Sequence, residues 1–220
     1  MGALLGVIPD AVEQATESVL TGDVTLRADL DRWQAMVGSI SEDVDHTVEV
    51  VIARQAPMAG ELRFLMNCVR LVINLSNTID LVSEVGGSAA LAWNTPIPDR
   101  VGPMIAAIGR EVAGAWRTVS GMWDGKPEAT LHVLRAQDDR LAETRAALTV
   151  ELVAGGLDPA VISELAGVTH GYERIIRHAL QAGDLIQGLI HPGLYRPSEG
   201  QGAPDSGKEV GPGEIVSDGE

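Results

Sequence analysis

The chain has 220 residues, a formal net charge of −15 and a sequence pI of about 4.6. So acidic a surface excludes direct binding to nucleic acid or to an anionic lipid face, both of which need clustered Lys and Arg. Hydrophobic residues make up 45% of the chain but aromatics only 3%, so a core must be built from Leu, Val, Ile, Ala and Met, a balance that suits packed helices better than a β-sandwich.

The first ten residues, MGALLGVIPD, lack the basic region of a secretory signal. They open a short helix over Leu4 to Leu20, interrupted by Pro9 and closed by Thr21-Gly22-Asp23. A second helix is expected from Val24 to Gln55, with Ile40, Val44, Val48, Val51 and Ile52 at helical spacing in its second half. Pro57 lacks an amide hydrogen and pushes Ala56 out of helical geometry, so the second helix stops near Gln55 and a third starts at Pro57.

In that third helix Met58, Leu62, Leu65, Val69, Val72, Ser76 and Ile79 define the face expected to be buried. Arg63, Asn67, Arg70, Asn74, Asn77, Asp80 and Glu84 form the opposite polar stripe, of which Arg63 and Arg70 are the candidate interaction residues. Cys68 lies in the apolar middle as a packing residue, and one cysteine asks for no oxidising compartment. Gly86-Gly87 reads as the stop.

GGSAALAWNTPIPDR then connects two halves, with Trp93 expected to pack down on the bundle. A fourth helix is expected from about Arg100 to Trp123. A fifth should start at Pro127 and end at Gly155-Gly156, and a sixth should follow the Asp158 cap and Pro159 to about Ile190. From Pro192 the sequence is dense in Gly, Pro and acids and reads as a disordered tail. No apolar run approaches the roughly 18 residues of a spanning helix, so a cytoplasmic protein without membrane insertion is expected.

The expected fold is therefore all-α: two tandem three-helix bundles from an internal six-helix repeat, residues 1–88 and 100–191, joined by 89–99 and followed by an acidic tail at 192–220.

ARQAPMAGELRFL followed by LSNTID resembles the PhoU family of phosphate-transport accessory regulators. Gln55, Pro57, Ala59, Leu62 and Arg63 match its Q-x-P-v-A-x-D-L-R segment, with Glu61 as the acid. Leu75 and Asp80 match D-L-E-R-I-G-D, but Ser76 stands where the family has its glutamate. HGYERIIRHAL resembles the second family motif, R-Y-Y-E-R-x-x-D-H-A, through Tyr172, Glu173, Arg174, His178 and Ala179, with Arg177 in place of the aspartate.

The resemblance implies a non-enzymatic negative regulator that docks between a phosphate ABC transporter and a sensor histidine kinase, and a homodimer. It also implies acid-x-x-x-acid pairs that share a divalent or iron ion, because several hard oxygen ligands must converge on one point. The remaining candidate ligands are Asp80 and Glu84 in the first half, and Asp139, Glu143 and Glu173 in the second. Both sets are degenerate, and no other cofactor is expected. Arg177 lies four residues beyond Glu173, a spacing that favours an ion pair and repels a metal.

Two other readings stand beside the regulator. One is a metal-free adaptor on the same scaffold, redirected to another transporter or partner. The other is a carboxylate-bridged metal enzyme, which would need Glu-x-x-His repeats on two helices that this sequence lacks.

Overall fold

Helical periodicity is realised along nearly all of the described residues in a computed structural model, which describes residues 2–23, 27–55, 57–92 and 97–190. The elements are α1 (Gly2–Thr21), α2 (Arg27–Gln55), α3 (Ala59–Ala92), α4 (Val101–Trp123), α5 (Leu131–Ala154) and α6 (Pro159–Ile190). Trp93 and the tail lie outside the described residues. Among the described residues there is no strand, and no helix is long and apolar enough to cross a membrane.

In the first half α3 packs on both α1 and α2, while α1 and α2 scarcely touch; in the second, α4, α5 and α6 all pack on one another. The halves meet along two seams, α1 on α4 and α3 on α6. One continuous apolar cluster runs through both, from Leu5, Ile8 and Val12 through Leu75 and Val82 to Trp116, Leu141 and Ile176. Close approach at the seams depends on missing side chains: a Cβ at Gly109 of α4 would collide with Thr16 of α1, and one at Gly171 of α6 with Val85 of α3.

Several boundaries differ from those expected. Pro9 does not interrupt α1; it is buried inside an unbroken helix whose neighbours Leu5, Ile8 and Val12 are wholly buried, so packing outweighs the missing hydrogen bond. Gly86-Gly87 does not stop α3, which continues to Ala92. Gly86 is buried against α1, and its carbonyl accepts from Ser18 Oγ at 3.2 Å, while the left-handed backbone that ends many helices occurs at Gly22, Gly125 and Gly156. α5 starts at Leu131 rather than Pro127, because Thr130 is the cap, its hydroxyl accepting from Val133 N at 3.3 Å. α6 begins as expected, with Asp158 Oδ1 accepting from Ala160 N at 2.8 Å.

The expected faces of α3 hold in the middle of the helix, where Val72 and Ile79 are buried and Arg70, Asn77, Asp80 and Glu84 exposed, but four positions depart from them. Asn67 and Asn74 of the polar stripe are buried, while Met58 and Leu62 of the apolar face are exposed. The reason is tertiary. α6 runs antiparallel along α3 and covers Asn67 and Asn74 of the stripe that the sequence alone assigns to solvent, and Asn74 finds its partners there in His178 and Gln181.

Candidate functional site

In the first half Asp80 and Glu84 lie on successive turns of α3 and line a groove of about 480 Å³ shared with Asp31 and Gln34 of α2. Asp80 Oδ1 accepts from Gln34 Nε2 at 2.9 Å, and Glu84 Oε2 lies 3.9 Å from Arg174 Nη1 across the α3–α6 seam. The Ser76 hydroxyl, where a carboxylate would complete the pair, is buried without a partner among the described residues. On the α2 side of this groove Asp80 therefore meets an amide, Gln34, rather than a second carboxylate.

The second half has a denser cluster, centred on Glu173 of α6. Its Oε2 is 2.9 Å from Arg145 Nη2 of α5 and 3.4 Å from His170 Nδ1, and its Oε1 accepts from Arg177 Nη2 at 3.0 Å. Asp138 joins from α5. Burial pushes its carboxyl above the usual range, Asp139 and Glu173 reinforce the rise, and Arg177 and Arg145 oppose it. Asp139 and Glu143, chosen for their spacing, point to solvent.

The inward register of α5 is written in its leucines. Leu134, Leu141 and Leu148 recur every seven residues as the buried seam of α5, and Asp138 and Arg145 sit four residues beyond the first two. Glu173 carries a motif signal and Asp138 stands in the acidic run QDDRLAE, whereas Arg145 belongs to no motif.

The donor chemistry at Glu173 does not fit a metal ion. Two guanidiniums already occupy both carboxylate oxygens, and each would repel an incoming cation. Among the described residues no three His, Cys, Asp or Glu side chains are placed to hold one.

A polar cleft of about 270 Å³ runs between α3 and α6, lined by Arg70, Asn74, Asn77, His178, Gln181 and Asp184. Asn74 Nδ2 donates to Gln181 Oε1 and to His178 Nδ1, both at 3.1 Å. Accepting that bond requires an unprotonated Nδ1, and burial, aided by Arg174 and Arg177, holds the His178 pKa below its ordinary value.

At the other end of α3 the α2–α3 turn forms an apolar tip. Met58 is 78% exposed and Phe64 51%, with Ile52, Leu62 and Met66 exposed beside them. Arg63 and Arg70 lie on the same stretch of α3 and form no ion pair among the described residues; Glu61 is used to cap the helix, its Oε2 accepting from Met58 N at 3.0 Å.

The six-helix arrangement is shared with proteins of known structure. The crystal structure of PhoU from Pseudomonas aeruginosa superposes with a TM-score of 0.76 at 19% identity, over 86% of this chain and 93% of that one. The chain is PhoU-like. A second structure, the phosphate transport system regulatory protein PhoU from Streptococcus pneumoniae, matches with a TM-score of 0.69 at 12% identity, over 88% and 92% of the two chains.

In sequence the PhoU-like chain is 24% identical over 193 residues to the phosphate-specific transport system accessory protein PhoU homolog 2 of Mycobacterium tuberculosis, covering 82% of this chain and 86% of that protein. It is 26% identical over 190 residues to PhoU homolog 1 of Mycobacterium leprae, covering 82% and 83%. No family model matches the chain.

Proposed function

We propose that the protein is an accessory regulator of phosphate transport that works by docking and carries out no chemical step. The observation that supports this most directly is the extent of the likeness, in which one six-helix scaffold and one sequence alignment run through both halves. On this reading it is a cytoplasmic homodimer that sits between a phosphate ABC transporter and a sensor histidine kinase, and reaches the membrane only through its partner. The tip that carries Arg63 and Arg70 is its interaction surface, facing acidic groups on the partner. The test is a phosphate-starvation reporter, with phosphate uptake, in a strain lacking the protein and grown with ample phosphate. Derepression is expected; an unchanged reporter and unchanged uptake overturn the reading.

The ion-pair cluster on Glu173 favours a second reading, in which the scaffold acts without metal and has been redirected to another transporter or partner. On either reading Glu173 is a structural anion held by Arg145 and Arg177. Tight, stoichiometric metal in the purified protein that disappears in Glu173→Ala would refute this role.

A further inference from the structure

The α2–α3 tip combines three features, of which docking through Arg63 and Arg70 accounts for only the basic one. It is apolar: besides Ile52, Met58, Leu62, Phe64 and Met66, Ile73 is 52% exposed further along α3. It is grooved: a groove of about 350 Å³ lined by Val51, Pro57, Gly60, Glu61, Phe64 and Leu65 adjoins one of about 170 Å³ in which Gly60, Arg63 and Phe64 face Gly188 and Leu189 of α6. It is also locally basic on a chain of net charge −15, because Arg54, Arg63 and Arg70 make no ion pair with any described residue.

The chain supplies a complementary segment. Leu189, on the wall of the second groove, is one residue from the end of α6, so everything from His191 onward leaves from the rim of this patch. Beyond Lys208 the sequence reads EVGPGEIVSDGE: four acids, no base, and Ile215-Val216 flanked by Glu214 and Asp218. We propose that residues 209–220 fold back onto this tip, with Ile215 and Val216 in the grooves beside Phe64 and the flanking carboxylates against Arg54, Arg63 and Arg70.

The reach is sufficient. Ile215 lies 25 residues beyond Ile190 in the sequence, and a Gly-rich chain of that length has a root-mean-square reach of roughly 25–30 Å, whereas the tip from Met58 to Ile73 is roughly 22 Å of helix. Tethering sets an effective concentration in the millimolar range, so a weak contact is enough. A second copy using this same patch would bring the arginines against one another, which disfavours a symmetric pairing. The inference does not depend on the tip being where a transporter or kinase docks; if it is, the segment competes with that partner.

The test uses the full purified chain with the photo-crosslinker p-benzoylphenylalanine at position 216. The expected product has the mass of one chain, its crosslinked peptide falls within residues 51–73, and its yield drops several-fold in Arg63→Glu/Arg70→Glu. Circular dichroism checks that this exposed double variant stays folded. Crosslinks to other surfaces, a product of twice the chain mass, no crosslink, or a yield indifferent to the charge reversal each overturn the proposal. The phosphate reporter does not enter this assay, so the two can fail separately.

Discussion

Tyr172 and Thr16 offer a test of the α1–α6 contact in which the sign of a coupling is set by counting protons. Thr16 Oγ1 donates to Val12 O at 2.6 Å and has no second proton, so at the 2.7 Å contact Tyr172 is the donor and Thr16 the acceptor. Both residues are buried, and burial pushes the Tyr172 phenol well above its ordinary range, so it stays protonated. In Tyr172→Phe the threonine keeps its bond to Val12, and only one hydrogen bond is lost, about 1 kcal/mol.

Thr16→Val is worse. It strands the phenolic O–H in the core, which costs about 1–3 kcal/mol, and places a methyl where an oxygen sat 2.7 Å away, which adds strain of up to about 1–3 kcal/mol. Thr16→Val should therefore lower Tm by roughly 5–15 °C for a chain of this size. The same substitution should cost much less in the Tyr172→Phe background, where neither penalty arises. Urea denaturation of the four proteins measures the cycle. Additive effects, or a Tyr172→Phe more damaging than Thr16→Val, would refute the assigned direction of the bond.

Gly171→Ala should destabilise by about 1–3 kcal/mol through overlap with Val85, and Val85→Ala should recover part of the loss in thermal melts. Because the folded pKa of His178 is lowered, the unfolded chain binds the extra proton first. The His178 contribution is thus full above about pH 6.5, and it is lost as pH falls through the folded value. In His178→Gln, urea midpoints between pH 5 and 7.5 should show a shallower slope than the parent; an identical slope would remove His178 as the cause. Arg177→Asp combined with Arg145→Met should lower Tm and make it rise on addition of Mn²⁺, whereas the parent should not respond. Burial raises the Cys68 pKa, so its labelling by a thiol reagent at pH 7.5 should be slow in the native protein and rapid in urea.

What could be read without coordinates was whatever depends on neighbours in sequence. The break at Pro57, the Asp158 cap and the six-helix count all rest on backbone chemistry within a few residues, and they appear at or close to the expected positions. The failures share one cause. Gly86-Gly87 stays helical because α1 packs on it, Pro9 because its flanks are buried, and Asn67 and Asn74 are inside because α6 covers them. In α5 the leucine period sets the buried face, and the acid spacing of Asp139 and Glu143 falls on the exposed one, so spacing between acids does not by itself report which way they face. Arg145 could not be tied to Glu173 by local reasoning, since 28 positions separate them in the chain.

The single apolar cluster that passes through both seams ties the fate of each half to the other. Ala11, Ala15 and Val19 of α1 are buried at a border that α4 helps to close, and Val85 is sealed by a glycine from α6. Neither half owns a complete interior, so separating them would bare the faces that α1 and α4, and α3 and α6, now shield for one another, and the two should unfold as one cooperative unit.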